Sequence, residues 1–321
     1  MIGLTDLPGK GERGWLVPYL IDGDDVFGHG RIDWWARVDS DGRLPDEPIP
    51  QIAWRSSGDT SVRADLREMS DNLPLCKGAP LSPKGAADHI HGLIEKMHGG
   101  WESLTYLVRW IAWGLAVGRD SESPRFMKTV DEEWNEILYR EFQLQRLVAA
   151  DTDVLGSVLA ERYGKGSWNP SAFFPTLMEI CEMMAQMTMG NCECVGKDPR
   201  LQSVMDPCVG TGRMLLAASN FSVNLFGVDI DPLMVDACSI NMALFAPWAV
   251  YQTPSHRYAI RGSALPLEPG PVIEQADAAR EEQGHPPLPK VEAQDGAGAA
   301  YVFNRHGQGE LFSVPSEKEK R

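Results

Sequence analysis

Two carboxylates, Asp206 and Asp229, each close a short apolar run, and between them lies the turn Pro207-Cys208-Val209-Gly210-Thr211-Gly212. Gly210 and Gly212 permit a tight bend and a close backbone approach to a ligand. A helix opening near Gly212 aims its first N–H groups toward whatever occupies the bend. Asp229, at the end of the second run, is placed where a carboxylate accepts both hydroxyls of a ribose. The chemistry this pattern suits is the holding of a nucleoside cofactor. Taken alone, the turn fits an ordinary strand–turn–helix with capping acids equally well. It also fails the G-x-G-x-x-G dinucleotide spacing, because Leu215 stands where the third glycine belongs. The turn combined with Asp229 favours the cofactor.

The elements that must position these residues follow from the apolar spacing. It predicts a strand over about 202–206, a helix over 212–219, a strand over 224–229 and a helix over 232–245, with Asp231 as N-cap and Pro232 as first helical residue. A third strand is expected near Arg257–Arg261. This is an α/β pattern of βαβ type. Ahead of it, residues 101–200 read as a helical lead-in, with helices over Trp101–Val117, Asp131–Val148 and the methionine-rich 175–189. The tryptophans of this region (Trp101, Trp110, Trp113, Trp134) read as core of a helical pair rather than as base-stacking residues. Residues 1–100 read as irregular or β-rich, with strand-like runs at Trp15–Ile21, Ile32–Val38 and Gln51–Trp54 separated by Gly, Pro and Asp. After the core at 201–265, residues 266–300 are rich in Pro, Glu, Ala and Gly and read as linker or disorder. A last strand from Ala299 to Phe303, a short docking segment at Gly309–Phe312 and a charged tail complete residues 301–321.

Asp206-Pro207-Cys208-Val209-Gly210-Thr211-Gly212-Arg213-Met214-Leu215 resembles the first motif of adenine-specific (N6) DNA methyltransferases of the type I restriction-modification kind. The resemblance implies a Rossmann-like, S-adenosylmethionine-dependent methyltransferase fold, here shortened, preceded by a helical segment and an irregular N-terminal region. It also implies that the turn holds the methionine part of S-adenosyl-L-methionine, with Asp206, Cys208, Gly210 and Gly212 lining it. Asp229, with Ile230 beside it, then binds the adenosine part through the ribose. Upstream, Asp153-Val154-Leu155-Gly156 and Ser171-Ala172-Phe173-Phe174-Pro175-Thr176 resemble the family's lead-in, where an F-F-T-P-like segment starts a helix covering the cofactor. This assigns Phe174 and Thr176 to the cofactor site, with the Thr and Pro inverted here. Downstream, Arg261-Gly262-Ser263-Ala264-Leu265 resembles the third motif, Ser263 replacing the acid that meets the adenine ring.

Methyl transfer to an exocyclic amine also calls for acceptors on the amine and an aromatic platform for a flipped-out base. The family supplies them as N-P-P-Y/F or D-P-P-Y/F, and no such tetrapeptide occurs in this sequence. His285-Pro286-Pro287-Leu288 and Phe303-Asn304-Arg305-His306 come nearest, which leaves His285 and Asn304 as the catalytic candidates and a turn or linker as the plainer reading of both. Three functions therefore stand. The first is a DNA adenine methylase, acting with a specificity or complementary methylase subunit. The second is a cofactor-binding relative without turnover, in a regulatory or decoy role. The third is a methylase of protein or small molecules.

The charge bears on this choice. The net charge of −15 argues against strong unaided DNA binding, which calls for a basic stripe. Six cysteines form no disulfide ladder or zinc pattern, and His89, His91 and His98 lack partnering ligands in the sequence, so no metal is expected. No signal peptide or membrane-spanning run is apparent, and the expected location is cytoplasmic.

Overall fold

The computed structural model describes residues 13–38, 43–63, 81–117, 132–164, 173–190, 198–251, 299–303 and 310–313. Among them the helices are α1 (Val17–Val26), α2 (Arg31–Trp35), α3 (Pro83–Lys96), α4 (Trp101–Gly114), α5 (Glu132–Glu141), α6 (Leu144–Val148), α7 (Val154–Gly164), α8 (Met178–Met189), α9 (Arg213–Ala218) and α10 (Pro232–Phe245). The strands are β1 (Ser203–Asp206), β2 (Asn224–Asp229), β3 (Ala299–Phe303) and β4 (Glu310–Ser313).

The strands form one sheet in the order β1-β2-β3-β4. β1 and β2 are parallel, with Asp206 opposite Gly227. β3 runs antiparallel to β2, pairing Tyr301 with Asp229, and β4 is antiparallel to β3. The crossover between the parallel strands is α9, as a parallel pair requires. The expected third strand near 257–261 lies outside the described residues, and β3 occupies the free side of β2. The segment expected to dock at 309–312 contributes β4.

α10 is the centre of the molecule. Every residue from Leu233 to Phe245 is buried, the polar Asp236, Ser239 and Asn241 included, so this helix is covered on all sides. Asp231 caps it by accepting the Leu233 N–H at 2.9 Å, and Pro232 follows at the first helical position. On the side away from the sheet it meets the helical region through α4.

The N-terminal region is helical where strands were expected. Trp15–Ile21 and Ile32–Val38 lie mainly in α1 and α2, and Gln51–Trp54 forms no strand. The reason is visible in the burial. α1 buries Val17, Leu20, Ile21 and Asp24, and α2 buries Arg31, Trp34 and Trp35, both at helical i, i+3, i+4 spacing. Short apolar runs do not distinguish the two periods. The predicted helix at 131–148 is broken at Phe142-Gln143, where Gln143 adopts an extended φ of −123°. Phe142 and Leu144 are both buried, and residues two apart reach one side only across an extended link.

Arg31 fastens the N-terminal helices to the core. It is fully buried. Its Nη1 donates to Ser219 Oγ at 2.7 Å and to the Phe245 carbonyl at 2.6 Å, its Nε to the Pro50 carbonyl at 2.9 Å, and its Nη2 to Asn220 Oδ1. The guanidinium also lies 5.2 Å from the Trp248 ring centre and 5.9 Å from that of Trp54, within cation–π range. Burial pulls its pKa down to about 9, against the opposing attraction of Asp24.

Candidate cofactor site

β1 and β2 end side by side, so Asp206 and Asp229 emerge at one edge of the sheet. The turn between them folds back over β2: the Val209 N–H donates to the Val228 carbonyl at 2.9 Å, and the Gly210 N–H to Asp229 Oδ2 at 2.8 Å. Asp229 Oδ1 accepts the Asp231 N–H at 2.9 Å. Asp206 Oδ1 accepts the Cys208 N–H at 3.0 Å. The two elements on which a nucleoside pocket depends are thus hydrogen-bonded to one another.

The glycines serve the turn in a way the sequence did not indicate. Gly210 has φ +53° and Gly212 φ +92°, the left-handed region where a side chain is strained. A Cβ at 212 would sit 2.7 Å from Cys238 Sγ, and one at 210 would sit 3.1 Å from the Phe173 ring. Packing behind the turn therefore opposes a side chain at 212 and leaves little room for one at 210, in addition to the demand of the bend.

Of the residues assigned from sequence, Asp206, Cys208, Gly210, Gly212 and Asp229 are gathered at this edge, and Ile230 follows directly, 67% exposed. Phe174 and Thr176 lie in an extended stretch before α8, both exposed; Thr176 reaches the site region through its backbone carbonyl, which accepts from Arg213 Nη1 at 3.0 Å. The Thr176 carbonyl, rather than its hydroxyl, makes that link. Ser263, His285 and Asn304 lie outside the described residues.

The residues present fit a nucleoside cofactor. Asp229 spends one acceptor position of each oxygen on a backbone N–H and, being only half-buried, keeps others for hydroxyls. Cys208 in the turn and Ile230 beside Asp229 are exposed.

Sequence reasoning missed the support behind the turn. Asp153 is fully buried and accepts from Gly156 N (2.7 Å), Asn241 Nδ2 (2.8 Å), Thr211 Oγ1 (2.5 Å) and Arg213 Nε (2.9 Å). The signal in the sequence is the D-x-x-G of Asp153–Gly156, which carries no sign of the partners at 211, 213 and 241.

α8 packs Met178, Cys181 and Ala185 inward. Met189 packs against the core from its end, whereas Met183, Met184 and Met187 are exposed, with Leu177 and Ile180 beside them in sequence. Of the tryptophans, Trp110 is core, stacked edge-on to Trp15, Tyr139 and Phe142, whereas Trp101 is 46% exposed. The three histidines each meet a protein partner. His89 Nε2 accepts the Gln143 N–H at 3.2 Å, and burial, then Arg146 and Lys96, depress its pKa to about 4. His91 lies 3.1 Å from Glu161, and the His98 ring lies at a tilt 6.2 Å from that of Trp134. A cleft of about 480 Å³ between Ile49, Gln51, Met189, Arg200 and Asn220 lies by the opposite ends of β1 and β2, away from Asp206 and Asp229.

Among the described residues no cluster of His, Cys, Asp and Glu is arranged to hold a metal, and no helix is long and apolar enough to cross a membrane. Residues 158–246, which run from α7 through the turn to the end of α10, match the family described as N-6 DNA Methylase. The match supports the adenine-specific (N6) DNA methyltransferase family, to which the motif resemblance points. No curated protein and no solved structure matches the chain.

Proposed function

We propose that the protein binds S-adenosyl-L-methionine at the ends of β1 and β2 and serves the N6-methylation of adenine in DNA. The observation that carries the reading is the Gly210–Asp229 hydrogen bond, which unites the turn and the sugar-binding acid of the N-6 DNA methylase stretch. The fold proposed for this stretch is the Rossmann-like methyltransferase fold, and β1, α9, β2 and α10 follow one another as its first half requires. When bound, the cofactor supplies a methyl group activated by a sulfonium.

The chain's own residues have distinct parts in this reading. Asp229 orients the ribose, and the backbone of 206–212 cradles the amino-acid half, with Cys208 and Ile230 lining the site. Phe174 and Thr176 border it from the segment before α8. Contacts to the target base are assigned to a specificity or complementary methylase subunit, because the sequence lacks the N-P-P-Y/F tetrapeptide and carries a net charge of −15.

The same missing tetrapeptide favours a second reading, a cofactor-binding relative without turnover. Titration calorimetry with S-adenosylmethionine, followed by transfer of labelled methyl to DNA, separates the two. Binding with transfer supports the methylase. Binding without transfer on any DNA, alone or with the products of neighbouring genes, supports the inactive relative. Absence of binding removes both.

A further inference from the structure

We propose that Asp153 is the positioning residue of the glycine turn, shaping it for the amino-acid half of the cofactor while Asp229 serves the nucleoside half. The inference rests on the S-adenosylmethionine reading above. It concerns a residue outside the stretch that matches the methylase family, which begins at 158.

The geometry is that of a support and not of a ligand contact. Each Asp153 oxygen already accepts two donors: Oδ1 takes Gly156 N and Asn241 Nδ2, and Oδ2 takes Thr211 Oγ1 and Arg213 Nε. With the side chain fully buried and both oxygens filled, no acceptor position faces a ligand. Two of the four donors belong to the turn or the residue just after it. A third, Asn241, also donates to the Thr211 carbonyl at 2.8 Å, so Thr211 is held by both its side chain and its backbone.

Arg213 extends the support. Beyond Asp153, its Nη1 holds the Thr176 carbonyl at 3.0 Å and its Nη2 the Ser157 Oγ at 2.8 Å. One buried ion pair thereby spaces the turn, the start of α7 and the segment ahead of α8. The site admits no slack: a Cβ at Gly156 would lie 1.9 Å from Asp153 Oδ2 and 2.4 Å from Thr211 Oγ1. Asp229, by contrast, contacts the turn only at the Gly210 amide and is half-exposed. Asp153 therefore bears on the turn alone and from behind, whereas Asp229 meets it at one amide and has further acceptor positions open at the surface.

The test uses the full chain and two ligands, S-adenosylmethionine and 5′-methylthioadenosine, which keeps the nucleoside and lacks the amino-acid half. Calorimetry on the parent, Asp153→Asn and Thr211→Val is paired with amide hydrogen exchange of the ligand-free proteins. The expected result is a loss of roughly tenfold or more in S-adenosylmethionine affinity in both variants, methylthioadenosine affinity held within about twofold, and faster exchange at 210–212. Equal loss of both ligands would show a general structural role and overturn the assignment, as would unchanged affinity and exchange. Should Asp153→Asn fail to fold, Thr211→Val, which removes a single hydroxyl, decides. A parent that binds neither ligand sinks the cofactor reading itself, a result distinct from a binding parent with undiscriminating variants.

Discussion

The Gly210 amide donates to Asp229 Oδ2 at 2.8 Å, so the acid that closes β2 also fixes the bend that follows β1. Asp229→Ala removes an acceptor for the ribose and releases the turn at once. The expected loss in S-adenosylmethionine affinity is about 2–3 kcal/mol, charged hydrogen bonds being worth that much. Asp229→Asn, which keeps one oxygen, should lose less. Calorimetry on the pair checks the order, and parent-like binding by Asp229→Ala would remove the site.

Gly212→Ala tests the turn's packing. The left-handed φ of +92° and the 2.7 Å approach to Cys238 Sγ act together. A destabilisation of about 2–4 kcal/mol is expected from strain and overpacking, read from the urea midpoint. The double variant Gly212→Ala/Cys238→Ala should recover part of it, since it removes the sulfur and leaves the strain.

Arg31→Ala leaves the Phe245 and Pro50 carbonyls and the Ser219 hydroxyl without their donor inside the protein. A loss of about 3 kcal/mol or more follows from stranding buried polar groups. Near-ultraviolet dichroism should change with it, because Trp54 and Trp248 flank the guanidinium. A fully stable Arg31→Ala protein would mean that the N-terminal helices are not fastened there.

Thiol chemistry distinguishes the described cysteines. Cys208 is exposed in the turn, whereas Cys181 and Cys238 are buried. Burial pushes the Cys181 thiol up to about 11 and the Cys238 thiol well above its ordinary value. Iodoacetamide at pH 8 should therefore label Cys208 in the native protein and spare the other two. S-adenosylmethionine should slow the labelling of Cys208, as peptide mapping by mass spectrometry would show.

His89 confers a pH dependence of known sign. Its folded pKa, depressed to about 4 by burial and then by Arg146 and Lys96, lies below the unfolded value near 6.5. Between these values the unfolded chain takes up a proton that the folded chain refuses. This contribution to stability is complete above pH 6.5 and falls away as the pH drops toward 4. Melting temperatures of the parent and His89→Gln across that window should converge as the pH falls.

What the sequence disclosed and what it concealed divide along physical lines. β2 and α10 stand at their expected bounds, because an apolar run closed by Asp229 and a cap at Asp231-Pro232 are local signals. Arg31 and Asp153 were illegible because their worth lies in partners 19 to 214 and 3 to 88 residues away. A lone arginine in a short helix reads as solvated until its carbonyls are known. The methionines of α8 show a related limit: composition reports how apolar a helix is, while its neighbours decide which side is covered.

A helix enclosed along its whole length, as α10 is from Leu233 to Phe245, has a consequence for engineering. The stretch that carries the methylase pattern is not a cassette. Excised at residue 158, it would present the Phe245 and Trp248 side to water and shed the anchor at Asp153. A graft of this glycine turn onto a new scaffold would have to bring the upstream helices with it.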